Sequence, residues 1–131
     1  IGELFDDIKE KVMANGLEDS VKFLGFRDDV TNLLQGMDVF LMPSLYEGFP
    51  VTGIEAQATG LPCIFSDTIT KEAKLLKQTD YVSLDESPKK WADKVLAASS
   101  SDRKYSNNIL RANGYDINDM AETLMEIYNR K

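Results

Sequence analysis

Histidine is absent from this 131-residue chain, and cysteine occurs once, as Cys63. Without histidine there is no imidazole base, proton shuttle or imidazole metal ligand. A single cysteine excludes an internal disulfide framework and points to a reducing, cytoplasmic setting. Basic residues are in deficit: 15 Lys and Arg stand against 22 Asp and Glu, a net charge of −7. That balance argues against a partner bound through its phosphate backbone, so no nucleic-acid partner is expected. No apolar run approaches the roughly 18 residues needed to cross a bilayer, and no secretory leader pattern is visible. The sequence also lacks an Asp-x-Asp pair and any Cys/His cluster, so no metal site is expected. It has no Gly-x-Gly-x-x-Gly, which separates it from nicotinamide-binding Rossmann domains.

What is present suffices for one domain with a proper core, expected to span residues 1–131: 43% of residues are hydrophobic and 28% charged. Leu4, Phe5, Ile8 and Val12 share one face of a helix closed by Asn15-Gly16. A strand at Val21–Leu24 precedes Gly25-Phe26-Arg27, and Asp28 is placed to cap a short helix carrying Val30, Leu33, Leu34 and Met37. Val39–Met42 reads as a strand buried on both faces, and Cys63–Phe65 as a second one. A short helix is expected over Lys71–Lys77 and a strand over Tyr81–Leu84. Ser87-Pro88 opens a helix with Trp91, Val95 and Leu96 facing inward. Arg103–Ala112 is expected to be helical, and a last helix opening at Asp116 is expected to bury Met120, Leu124, Ile127 and Tyr128. Strands alternating with helices predict an α/β fold, a Rossmann-like parallel sheet flanked by helices.

The chain is organised around Asp38–Asp67, which reads strand, tight loop, helix, strand. Pro43 ends the first strand, because proline has no N–H to give to a ladder. Gly48 supplies backbone freedom and room for a ligand, and Pro50 suits the first turn of a helix. Val51, Ile54, Ala56 and Ala58 provide its small and apolar surface, and Gly60 is placed to end it. A helix start at the carboxyl end of a parallel strand is an anion site, so amides around Gly48, Phe49, Val51 and Thr52 favour a phosphate. Glu55 lies four residues past Val51, about 6 Å along the axis. A carboxylate there would repel an adjacent phosphate but could accept two hydrogen bonds from a ribose cis-diol.

Glu47 and Glu55 sit in E-G-F-P-V-x-x-x-E-A, after a strand ending in P-S and before A-x-G-x-P. That phrase resembles the Glu-x7-Glu donor-site motif of retaining family 4 glycosyltransferases with the two-domain GT-B fold. The stretch from Gly25 to Ala73 is similar to bacterial capsular and exopolysaccharide glycosyltransferases, and the likeness extends over most of the chain.

The resemblance implies the C-terminal half of a GT-B fold, binding a nucleotide-sugar donor, most readily a UDP-sugar, with no metal or other cofactor. Glu47 would contact donor-sugar hydroxyls as the catalytic-site glutamate. The donor-binding segment Gly48, Phe49, Pro50, Val51 and Thr52 would hold the diphosphate, Glu55 the ribose, and Phe26 and Arg27 would edge the nucleobase. Many family members carry glycine where Pro50 stands, so one amide is gone from the cradle. Beginning at Ile1, the chain looks like a fragment. The N-terminal acceptor domain, and the upstream Arg and Lys that neutralise the diphosphate in the family, are expected to lie outside it. Any membrane association is expected to be peripheral and to come through the parent protein, and the isolated chain is expected to be inactive. Two alternatives stand beside this reading: a stand-alone nucleotide-binding or assembly module with a degenerate donor site, and, ranked last, another GT-B enzyme such as an epimerase or phosphorylase.

Overall fold

A computed structural model describes residues 2–103 and 108–130 of the chain. Two compact units are present, Ile1–Val30 and Thr31–Lys131. The N-terminal unit holds helix α1 (Phe5–Ala14), capped by Asn15. Gly16, at φ 63°, donates to the Met13 carbonyl while Leu17 donates to that of Val12, a Schellman closure. Phe5 meets Phe23 edge-on at 5.4 Å. Val21–Leu24, expected as a strand, forms no ladder, and Phe23 and Leu24 are exposed. The apolar run reads like a strand, but no paired neighbour among the described residues satisfies its backbone.

The larger unit is a parallel α/β sheet. Helix α2 (Val30–Gly36) begins at the unit boundary and leads to β1 (Phe40–Met42). Then follow α3 (Val51–Ala58), β2 (Cys63–Ser66), a single 3-10 turn Lys71–Ala73 and β3 (Thr79–Val82). Helices α4 (Pro88–Ser99), α5 (Ile109–Ala112) and α6 (Ile117–Asn129) complete it. The strand order is β1-β2-β3, with Phe40 opposite Cys63 and Met42 opposite Phe65, and Phe65 in turn opposite Tyr81.

The pleat sends alternate residues to opposite faces. Phe65 and Thr79 therefore face α3, where Phe65 meets Gly53 and Thr79 meets Gln57. Asp80 faces α4, where Lys94 bonds it at 2.9 Å. Among the described strands only the central one is buried along its whole length. β1, read from sequence as buried on both faces, is an edge strand among the described residues, and Leu41, on the same sheet face as Asp80, is exposed. β3 starts two residues earlier than expected: polar Thr79-Asp80 hides the strand in the sequence, yet Thr79 is fully buried and hydrogen-bonded.

Other expectations shift in the same way. The helix expected over Lys71–Lys77 shrinks to one 3-10 turn, its Thr70 side chain accepting from the Glu72 amide. Ser87 caps α4 with Pro88 in its first turn, as read, but Leu96 is exposed rather than inward. The helix expected over Arg103–Ala112 is α5 alone within the described residues; residues 104–107 lie outside them. Asp116 does cap α6, accepting from the amides of Asn118 and Asp119. Met120, Leu124, Ile127 and Tyr128 are nevertheless all exposed, because no described element covers that apolar stripe. Arg103 closes α2 instead, donating to the carbonyls of Leu34 at 2.8 Å and Gln35 at 2.9 Å and to Met37. Such a side chain meets the carbonyls that every helix end leaves over.

Cys63 is fully buried in β2, its thiol donating to the Leu61 carbonyl at 3.3 Å. Burial pushes that thiol up to about 12. Since the thiolate is the reactive form, folded protein at pH 8 should resist iodoacetamide, and labelling followed by mass spectrometry should rise only as urea unfolds the chain. Rapid labelling of folded protein would show β2 to be accessible.

Candidate functional site

The loop leaving β1 is tied to the neighbouring strand end. Ser66, buried at the end of β2, donates from Oγ to the Ser44 carbonyl at 2.6 Å. Thr68 Oγ1 lies 2.8 Å from the same carbonyl and 2.8 Å from Ser66 Oγ. In turn Ser44 Oγ donates to Glu47 Oε1 at 2.7 Å. Glu47 is half-buried, while Leu45 and Tyr46 before it are exposed.

Gly48 does not use its conformational freedom: its φ is not in the positive region, and an added Cβ would meet open space. Its contribution is room above the loop, so the expected special backbone geometry is corrected. Pro50 is buried and stands at the N-cap of α3, one position before the expected first turn. Its carbonyl accepts from Ile54 at 3.1 Å. Val51, expected to offer an unpaired amide, donates instead to the Phe49 carbonyl at 2.9 Å. Among the described residues the amides of Gly48, Phe49 and Thr52 have no backbone acceptor, and proline provides no side-chain cap. The positive end of α3 is therefore open to an anion.

The face of α3 also differs from expectation. Gly53, Ile54, Ala56 and Gln57 are buried, whereas Val51 is exposed. Gly60, at φ 74°, ends the helix, donating to the Gln57 carbonyl while Leu61 donates to that of Ala56. Gln57 is a fully buried hub. Its Nε2 donates to the carbonyls of Gly53 and Ala73 at 3.0 and 2.7 Å. Its Oε1 accepts from the Leu75 and Leu76 amides and from Thr79 Oγ1, at 2.7, 3.0 and 2.8 Å. This side chain fixes α3 to the segment leading into β3.

Glu55, on the exposed side of α3, opens onto a cleft of about 660 Å3. Its other walls are Thr31 and Gln35 of α2, Phe49, Val51, Ile54, Ala58 and Thr59 around α3, and Leu110 and Tyr115. The rings of Phe49 and Tyr115 lie 5.5 Å apart, tilted by 35°. The structure thus brings Phe49, Val51 and Glu55 to one cleft. Glu47, Gly48, Pro50 and Thr52 lie outside its lining, Glu47 being turned to Ser44. Phe26 and Arg27 belong to the N-terminal unit. Phe26 is almost fully exposed, and Arg27 forks onto the Asp29 carboxylate at 2.7 and 2.6 Å. That hydrogen-bonded pairing holds the Asp29 carboxyl below its ordinary range. Asp29, not Asp28, directly precedes α2.

Sequence reasoning passed over Gln57, Tyr115, Ser66 and Thr68 as site-building residues. Ser66 and Thr68 carried a usable signal, since ligands in open α/β sheets gather at strand carboxyl ends. Tyr115 carried none, because its partner Phe49 is remote in sequence.

Residues 1–101 match the family described as Glycosyl transferases group 1. Along 98% of its length the chain is 38% identical to EpsF of Bacillus subtilis (strain 168), covering 34% of that protein. It is 30% identical, over 85% of its length and 31% of the relative's, to the N,N'-diacetylbacillosaminyl-diphospho-undecaprenol alpha-1,3-N-acetylgalactosaminyltransferase of Campylobacter jejuni. Half of it is 46% identical to 17% of the UDP-Gal:alpha-D-GlcNAc-diphosphoundecaprenol alpha-1,3-galactosyltransferase of Escherichia coli. The chain thus spans about a third or less of the length of these relatives. With a family match over most of its length and a parallel α/β sheet to seat the two glutamates, the chain belongs to the group 1 glycosyl transferases.

Proposed function

We propose that this chain is the donor-binding part of a retaining glycosyltransferase that moves a sugar from a nucleotide-activated donor, UDP-linked in our reading, during assembly of a bacterial surface polysaccharide. The observation that carries the proposal is the turn Glu47–Ala56, set at the carboxyl end of a parallel strand with Glu55 opening onto a cleft. The E. coli and C. jejuni relatives, both named as sugar transferases acting on diphospho-undecaprenol-linked compounds, support the substrate class.

In this reading the diphosphate rests on the open amides at the start of α3, where the helix dipole favours negative charge without a metal. Glu55, a turn further on, accepts from the ribose diol. Glu47 accepts hydroxyls of the donor sugar. A domain of charge −7 offers little long-range attraction to an anion, so nucleotide binding by this chain alone is weak. Transfer itself needs a closed, water-poor cleft, completed by an acceptor-binding domain of the same protein. These 131 residues alone are inactive.

Ligand-observed saturation-transfer NMR with UDP tests the site map. Ribose protons should be saturated by the chain and should lose most of that signal with Glu55→Ala, since hydrogen bonds to a charged acceptor are each worth about 1.5–3 kcal/mol. Glu122→Ala, on exposed α6, should change nothing. Equal ribose signal in the Glu55 variant would remove that residue from the nucleotide.

A further inference from the structure

We propose that Ser44 is a positioning residue for Glu47, and that Ser66 and Thr68 hold it in place from the end of β2. This rests on the reading of Glu47 as the contact to the donor sugar. A glutamate on a loop samples many rotamers, and an acceptor of sugar hydroxyls is useful only if its carboxylate is already aimed. Here the aiming has a visible chain of contacts. The Ser44 hydroxyl spends its one proton on Glu47 Oε1, at 2.7 Å. That leaves Oε2 and the remaining lone pairs of the carboxylate, which accepts hydrogen bonds and donates none, for hydroxyl donors.

Ser44 is itself fixed. Its carbonyl has two lone pairs, and the hydroxyls of Ser66 and Thr68 approach it at 2.6 and 2.8 Å. Ser66 is fully buried and Thr68 exposed, so the clamp reaches from the sheet core to the surface. Because β1 and β2 are parallel neighbours, their carboxyl ends lie side by side, and the second strand can hold the loop of the first. The clamp bears on Glu47 and does not touch Glu55, so it governs the sugar end of the donor and leaves the nucleotide end alone.

The test reads both ends separately. Side-chain 13C relaxation of Glu47 in the free chain should show an ordered methylene group, in contrast to exposed Glu122. Ser44→Ala should make Glu47 as mobile as Glu122, Ser44→Thr should restore most of the order, and Thr68→Val, an exposed change that leaves the core intact, should have a smaller effect in the same direction. With UDP-galactose as probe, Ser44→Ala should lower saturation of the galactose protons several-fold while the ribose protons keep theirs. A mobile Glu47 in the unmodified chain, or an ordered one in Ser44→Ala, would overturn the proposal whether or not nucleotide binds. Loss of ribose and galactose signal in equal measure would overturn it too, by showing that Ser44 supports the whole fold. Failure of UDP to bind would instead count against the donor-site reading, while the relaxation experiment still decides the role of Ser44.

Discussion

Gln57→Met should lower the unfolding free energy by about 4 kcal/mol, from a typical total of roughly 5–15 kcal/mol. Methionine matches glutamine in length and flexibility, so the space stays filled. What disappears is the set of partners: the Leu75 and Leu76 amides, the Thr79 hydroxyl and the Ala73 carbonyl all lose the group they bond. Each buried polar group left without a partner costs about 1–3 kcal/mol, and relaxation or water entry recovers part of the sum. Urea unfolding followed by circular dichroism checks it. Thr79→Val should be markedly less harmful in the Gln57→Met background than alone, because it removes a donor that the first change has already orphaned. A loss below 1 kcal/mol, or strict additivity of the two changes, would show that the hub is not what holds α3 to β3.

Features of this fold that local hydrogen bonds decide are legible in the sequence, and those that distant neighbours decide are not. Cap and closure residues announced themselves: Ser87-Pro88, Asp116 and the glycines at 16 and 60 all end or begin helices where read. Local hydrogen bonds decide these features, and the residue types that make them are few. The central strand was legible because Cys63-Ile64-Phe65 is apolar without interruption. Failures came where neighbours decide. Val21–Leu24 has strand composition but no ladder, and Thr79-Asp80 has loop composition but lies in one. The stripe on α6 was read as buried, yet periodicity reports only that a face is apolar, not that something covers it. At the site, motif spacing located Glu47 and Glu55, but not the different surroundings that separate them. One is held by a serine hydroxyl and the other lines a cleft with Phe49. The hydroxyl on Glu47 is local, from Ser44, but the cleft beside Glu55 takes walls from α2 and from the segment around Tyr115, which is remote from the motif in sequence.

Gly53 offers the second large effect, and it joins packing to the site. An added Cβ there would stand 2.7 Å from Cζ of Phe65 and 3.1 Å from Cε1. The ring cannot swing aside cheaply. It is fully buried and meets Phe40 edge-on at 6.5 Å and Tyr81 at 5.8 Å, contacts that fix its orientation. Glycine weakens a helix interior by about 1 kcal/mol relative to alanine, and its presence in the first turn of α3 reflects the close approach of helix to sheet. Gly53→Val should therefore cost about 3 kcal/mol through overpacking, with only a small gain in helix propensity against it. Phe65→Leu should cost about 1–2 kcal/mol by itself, from lost ring contacts and residual space. Combined, the two should cost clearly less than their sum, because the smaller side chain gives the valine methyls room. Function should follow the same pattern. If α3 is pushed off the sheet, Glu55 and the loop before it move together, so ribose saturation by UDP should fall in folded Gly53→Val and return in the double variant. Additive stabilities would mean that Phe65 is not the obstacle. Full ribose signal in Gly53→Val would mean that the seating of α3 on β2 does not set the proposed nucleotide site.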